Sequence, residues 1–212
     1  VFLHGWPVTD DENATRFGGR LLARGEIMTP AAEVMGWFPR LFLFMRDGMI
    51  TSFDWLGGQV AWAIGEATGL DAIVFTLAAA LAPALVALAA ARRFSPAWGA
   101  VAALVVLTCP MAQCLSWTAH PHLLARAAIA GAIAVVALRE RSRARSAGFG
   151  FLCSLALSCR PFETLTLLTP LVLGELWDGW REGELRQTLA SMALGGLPLL
   201  AVFMLHNQAV TG

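Results

Sequence analysis

The sequence predicts an all-α fold: a polytopic bundle of transmembrane helices whose long first extracytoplasmic loop carries amphipathic interfacial helices. Three observations predict it. The 212 residues are 57% hydrophobic and 14% charged, with mean hydropathy +0.63, whereas soluble domains run at about 45–50% apolar and about 25% charged. Uncharged runs of membrane-crossing length recur through the later part of the chain. The arginines gather in short clusters between those runs. The apolar composition points to the lipid bilayer as partner, and the formal net charge of zero gives no sign of nucleic acid binding.

All fifteen basic residues are arginine, and lysine and tyrosine are absent; we read this as compositional bias. Cys109, Cys114, Cys153 and Cys159 sit in apolar runs without CxxC or Cys/His ligand spacing, so they read as small hydrophobes.

Residues 1–8 are short and apolar and are expected to be the end of a first transmembrane helix. The chain opens on Val1 and stops at Gly212 after an apolar segment, so an upstream helix and a downstream portion are expected. Residues 9–69 form the extracytoplasmic loop. Thr9-Asp10-Asp11-Glu12 is a capping box, in which the Thr hydroxyl accepts from a first-turn N–H and the acid three residues on reaches back. Ala14, Phe17 and Leu21 give the following helix one apolar face, Arg16, Arg20 and Arg24 line another, and Gly25 stops it. Such a helix lies in the interface plane. Trp37, Phe38, Phe42 and Phe44 between charges suit the headgroup layer. Residues 55–69 read as a second amphipathic or partly buried helix.

About six transmembrane helices are expected over 70–206. Residues 72–91 are uncharged, with Pro83 as a tolerated kink, and end at Arg92-Arg93. Spans at 97–116 and 122–138 flank a polar corner with His120 and His122. The Arg139–Arg145 run follows. Residues 147–177 are too long for one span, and a charged Arg160 at mid-membrane is costly, so they read as a helix pair broken at Arg160-Pro161. A last span covers 188–205, and residues 207–212 start the next outside loop. With the arginine clusters on the cytoplasmic side, the outside face collects Asp10, Asp11, Glu12, Asp47, Asp54, His120, His122, Arg160, Glu163, His206 and Asn207, with Arg126 one turn below His122.

Each of these has a plain structural reading. Acids are favourable at a helix N-terminus whether or not they catalyse anything; the cap needs only Glu12, which leaves Asp10 and Asp11. Arg160 and Glu163 form an interfacial pair on a helix, or Arg160 holds a phosphate. Arg126 snorkels to the headgroups or joins it. Gly65 and Gly69 match GxxxG, a weak sign of dimerisation that close helix packing also explains.

The order of features resembles the GT-C membrane glycosyltransferases, including protein mannosyltransferase-like and RgtA/B/C/D-like bacterial proteins. The matching residues are Thr9–Glu12 with the helix Ala14–Gly25, the segment Gly150–Glu163 around Arg160-Pro161, and Asn207–Gly212. Thr51–Trp55 stands where the family usually has a Pro- or Tyr-rich loop. The resemblance implies a multi-pass protein of the inner membrane that moves a sugar from a polyprenyl-phosphate-linked donor to a glycan, lipid or protein acceptor. It implies Asp11, with Asp10 as runner-up, as general base. Arg160 and Arg126 would hold the lipid phosphate, and Glu163, His120, His122, Asp54 and His206 would contact substrate. Some members use a divalent metal and others do not; no ligand spacing here decides that. A transporter or flippase for a lipid-linked or small polar substrate is the alternative, with intramembrane Arg, Glu and His lining a path, although the chain shows no internal repeat.

Overall fold

The computed structural model describes residues 9–31, 42–116, 121–138 and 140–212. Residues 1–8, Trp37, Phe38 and His120 lie outside the described residues. Among the described residues the structure is mostly helical, 81%. The described residues form nine helices: α1 (Asp10–Ala23), α2 (Leu56–Thr68), α3 (Asp71–Arg93), α4 (Pro96–Thr108), α5 (Pro110–Ser116), α6 (Pro121–Ala137), α7 (Arg143–Cys159), α8 (Pro161–Arg181) and α9 (Leu185–Thr211).

The all-α expectation needs one correction. Three short strands, β1 (Thr29–Pro30), β2 (Leu43–Arg46) and β3 (Met49–Ser52), make an antiparallel sheet in the order β1-β3-β2. The β2–β3 turn is Asp47-Gly48, with φ of 51° and 75°. Positive φ at both central residues matches the twist of the flanking strands, and Asp-Gly adopts it readily.

α1 begins and ends as its sequence predicts. The Glu12 N–H donates to Thr9 Oγ1 at 3.2 Å. At the other end the Gly25 N–H donates to Leu22 O and the Glu26 N–H to Leu21 O, both at 2.9 Å, with Gly25 in the left-handed region, which is a Schellman close. Its buried face differs from the expected one. Ala14 and Leu21 are buried, but Phe17 is only partly so, and Thr15, Gly18 and Gly19 complete the stripe. A Cβ on Gly18 would strike the Gln59 side chain, and one on Gly19 would strike Trp62, so α1 lies backbone-close on α2. The Gly65–Gly69 spacing belongs to the α2–α3 corner. Gly69 caps α2 at φ 69°, and Gly65 sits against Asp71.

α3 continues through Pro83. Among the described residues, α3 from Ile73 and α9 are long and apolar enough to cross a membrane; α4 with α5, bent by 65°, make a third if taken as one span. The unbroken span expected over 97–116 is therefore interrupted. Pro110 pushes Cys109 to extended backbone (ψ 118°), which ends α4. α6 has 17 residues, short for a crossing, so six full spans are not reached on length.

Arg160 separates α7 from α8, as the broken-pair reading expects. The start of α7 meets the end of α8: Arg141 Nη1 lies 2.8 Å from Glu182, and Arg145 Nη2 lies 2.7 Å from Glu175. The two helices are thus antiparallel. α9 starts at the same end, where Arg143 Nη2 donates to Gln187 Oε1 at 3.3 Å, and runs parallel to α7. A Cβ on Gly150 would run into the Met192 backbone and one on Gly195 into the Ala147 backbone. α6 also finishes there, with Arg145 donating to the carbonyls of Val135 and Val136, both at 3.0 Å. Arg93, at the end of α3, shares a cleft of about 880 Å³ with Arg141 and Glu175. One end of the bundle is therefore an arginine end. At the opposite end α2 lies over the starts of α3 and α6, sealed by Trp62, Phe75, Leu123 and Ala127, with Trp62 and Phe75 rings 5.0 Å apart.

Candidate functional site

The candidate site forms where α1 and α2 press on the end opposite the arginine cluster. Two glycines at the start of α2 allow the approach. A Cβ on Gly57 would meet Ser158 and Cys159 at the end of α7, and one on Gly58 would meet Pro121 at the start of α6. This seats α2 on the residues next to Arg160 and His122.

Arg160 stands at the α7–α8 break. Its N–H closes α7 on Ala156 O at 2.8 Å, and its carbonyl accepts from the Thr164 N–H at 3.1 Å and the Thr164 hydroxyl at 2.6 Å. Pro161 needs no N–H acceptor at the first position of α8. The guanidinium reaches two elements. Nη2 is 3.0 Å from His122 Nδ1 and 3.6 Å from Asp11 Oδ2. A guanidinium only donates, so Nδ1 accepts and the neutral ring carries its proton on Nε2. Nε2 faces Glu163 Oε1 at 3.6 Å.

Asp54 joins this group from the β3–α2 loop. Its N–H donates to Ser52 Oγ at 3.1 Å, and its carbonyl accepts from Gln59 Nε2 at 2.5 Å. Its carboxylate meets the Thr15 hydroxyl, which also lies 2.8 Å from the Asp11 carbonyl. Thr15 has one proton and two acceptors around it, so both contacts are satisfied when Asp54 itself carries a proton. Burial raises the Asp54 pKa above the ordinary 3.8, the Thr15 hydrogen bond and Arg160 pull it down, and the Asp11 charge pushes it up.

The structure thus brings together Asp11, Arg160, His122, Glu163 and Asp54 from α1, α6, α7–α8 and the β3–α2 loop. Asp10 is exposed at the first position of α1. Arg126 sits one turn along α6 from His122, and its buried Nε has no hydrogen-bond partner among the described residues. His206 is half-buried near the end of α9, where Trp55 packs on Phe203 at 5.7 Å. The sequence reading missed Thr15 and Gln59. Both are polar residues fully buried on otherwise apolar helix faces, and that placement was their signal. No group of three or more His, Cys, Asp or Glu able to hold a metal ion occurs among the described residues.

By composition and by its long apolar helices this is a membrane protein with a mixed acid–arginine–histidine cluster at one end of its helices. Compared with protein-family models, curated proteins and solved structures, the chain shows no match.

Proposed function

We propose that this chain is the membrane domain, or part of it, of a GT-C type glycosyltransferase that uses a polyprenyl-phosphate-linked sugar. The observation that carries the proposal is the Arg160 guanidinium held beside two carboxylates, Asp11 and Asp54, one of them with a raised pKa. Sugar transfer needs that pairing: a fixed cation for the departing phosphate and a carboxylate for the acceptor's proton.

In this reading the acceptor oxygen forms a bond to the sugar's anomeric carbon as the anomeric carbon–phosphate oxygen bond breaks. The bonding pair leaves on the phosphate, where Arg160 balances it. The acceptor's hydroxyl proton passes to Asp11, and Asp54, tied through Thr15 to the Asp11 turn, keeps that carboxylate in place. His122 and Glu163 hold Arg160 from the other side. The positive-inside rule assigns the end with Arg93, Arg141 and Arg145 to the cytoplasm, which puts the cluster on the extracytoplasmic face. Residues 9–69 then form the outside loop and 70–206 the membrane part.

The test is transfer by the full-length protein from a polyprenyl-phosphate sugar, with Asp11→Asn beside the wild type. We expect a loss of about 10²–10⁴-fold in rate with unchanged melting. Normal transfer by a normally folded Asp11→Asn protein sinks Asp11 as base. Movement of the lipid-linked sugar across a proteoliposome without covalent transfer assigns a flippase instead.

A further inference from the structure

The cleft of about 880 Å³ at the arginine end lies away from the Arg160 cluster, between α3, α6 and α8. Helix length creates it. α3 and α6 start together, with Phe75 packed in one cluster with Leu123, but α6 has 17 residues and α3 has 23. The shorter α6 ends first and leaves a gap beside α3 and α8. Val86 and Ala90 of α3, Ile133 and Val136 of α6 and Leu171 of α8 line the part nearer mid-bundle. The charged lining residues stand toward the helix ends, among them Arg93 and Asp178. The volume falls among those of small-molecule sites, about 300–1,000 Å³.

The charges say what fits. Arg145 is committed to Glu175, and Arg141 to Glu175 and Glu182. These two arginines and two acids cancel. Arg93 and Asp178 remain, one charge of each sign, both exposed. Among the described residues neither side chain has an ion-pair partner, Arg181 one turn beyond Asp178 included. Asp178 also lies in the last turn of α8, where the helix end is already negative, so the position calls for a cation.

Exposed tryptophans mark the depth of this end. Trp98 stands in the first turn of α4, and Trp177 and Trp180 pair at 5.0 Å near the end of α8. Tryptophans at the ends of apolar helices sit at the headgroup level of a bilayer. Arg93 and Asp178, at the ends of α3 and α8, then share that level, and the apolar part of the cleft lies at acyl-chain depth.

We propose that the cleft between α3, α6 and α8 binds an aminophospholipid from the leaflet on the arginine side, with its phosphate on Arg93, its primary ammonium on Asp178 and an acyl chain along Val86, Ile133 and Leu171. A zwitterionic headgroup answers one free cation and one free anion. An anionic headgroup leaves Asp178 opposing it, and an uncharged sugar headgroup leaves both charges without a counter-charge. The site is independent of the sugar-transfer reading and stands or falls separately.

The test titrates phosphatidylethanolamine, phosphatidylglycerol and digalactosyldiacylglycerol of equal chain length into the full-length protein in dodecyl maltoside, with bound lipid counted by native mass spectrometry. We expect one saturable site for phosphatidylethanolamine, about tenfold tighter than for the other two lipids. Arg93→Gln and Asp178→Asn each remove about that tenfold preference, and Asp178→Asn does so without weakening phosphatidylglycerol. Arg186→Gln, a charge change at the same end but outside the cleft, leaves binding unchanged. Ala90→Phe narrows the apolar part and weakens all three lipids. Binding of phosphatidylglycerol as tight as phosphatidylethanolamine, or an equal loss in Arg186→Gln, overturns the proposal. So does the absence of saturable lipid binding, the result expected where another segment of the full-length chain fills the cleft. Arg93 and Asp178 are exposed, so their variants keep the test readable if Ala90→Phe does not fold.

Discussion

At the arginine end, Arg145 meets Glu175 through contacts of 2.7 and 3.1 Å, with side chains 7% and 5% exposed, and turns its remaining donors to the last carbonyls of α6. At the acidic end, Arg160 approaches Asp11 at 3.6 Å, with side chains 18% and 27% exposed. Both are arginine–carboxylate pairs, and the geometry differs. A buried, two-pronged pair ties α6, α7 and α8 into one unit and is fully committed to doing so. A longer, wetter pair is cheaper to rearrange, and it sits among a histidine and two further acids. The tight Arg145–Glu175 pair holds helices; the looser Arg160–Asp11 pair stands where a substrate is proposed to arrive.

Breaking each end in turn sharpens that contrast. The largest effect is expected from Glu175→Ala, which strands Arg145 in the bundle. We expect about 3–5 kcal/mol of lost stability, read by denaturation of the purified protein, with transfer per folded molecule retained. Arg160→Gln is expected to do the reverse, lowering transfer about 10²–10³-fold while leaving the melting temperature close to wild type. If Arg160→Gln destabilises as much as Glu175→Ala, the two ends do the same job and the comparison fails.

A smaller effect concerns Asp54. Its folded pKa lies above the unfolded 3.8, so the folded state binds more protons between those values. Wild-type stability therefore falls as pH rises through that window. Asp54→Asn keeps an acceptor for Thr15 and should abolish this decline, measured as melting temperature against pH. The smallest effect is expected from Thr9→Ala, which removes the α1 cap for about 1 kcal/mol, seen as earlier hydrogen exchange in the first turn of α1.

Much of the site was legible before folding. Thr9 announced where α1 starts, and Arg160-Pro161 announced a helix break, because Pro disfavours helical backbone at the residue before it. The length of 147–177 and the cost of Arg160 at mid-membrane implied that α7 and α8 double back, as the Arg145–Glu175 contact between the start of α7 and the end of α8 shows. Asp54, His122 and Glu163 were named as site residues from their expected side of the bundle. Arg126 and His206 were named with them from the same expected side, because helical position sets a level in the bundle and not a direction around it.

The sequence by itself determined the helical class, the apolar runs, the α1 cap and the polar breaks, because these follow from local propensity and short-range capping bonds. Only the tertiary structure decided which polar residues meet. Thr15 reaches Asp54 because Gly18 and Gly19 let α1 lie against α2. Arg160 reaches both Asp11 and His122 because Gly57 and Gly58 let α2 settle on the ends of α7 and α6. The physical reason is distance along the chain: Asp11 and Arg160 are brought together by backbone-close helix packing at missing side chains, and no local pattern in either segment encodes its partner.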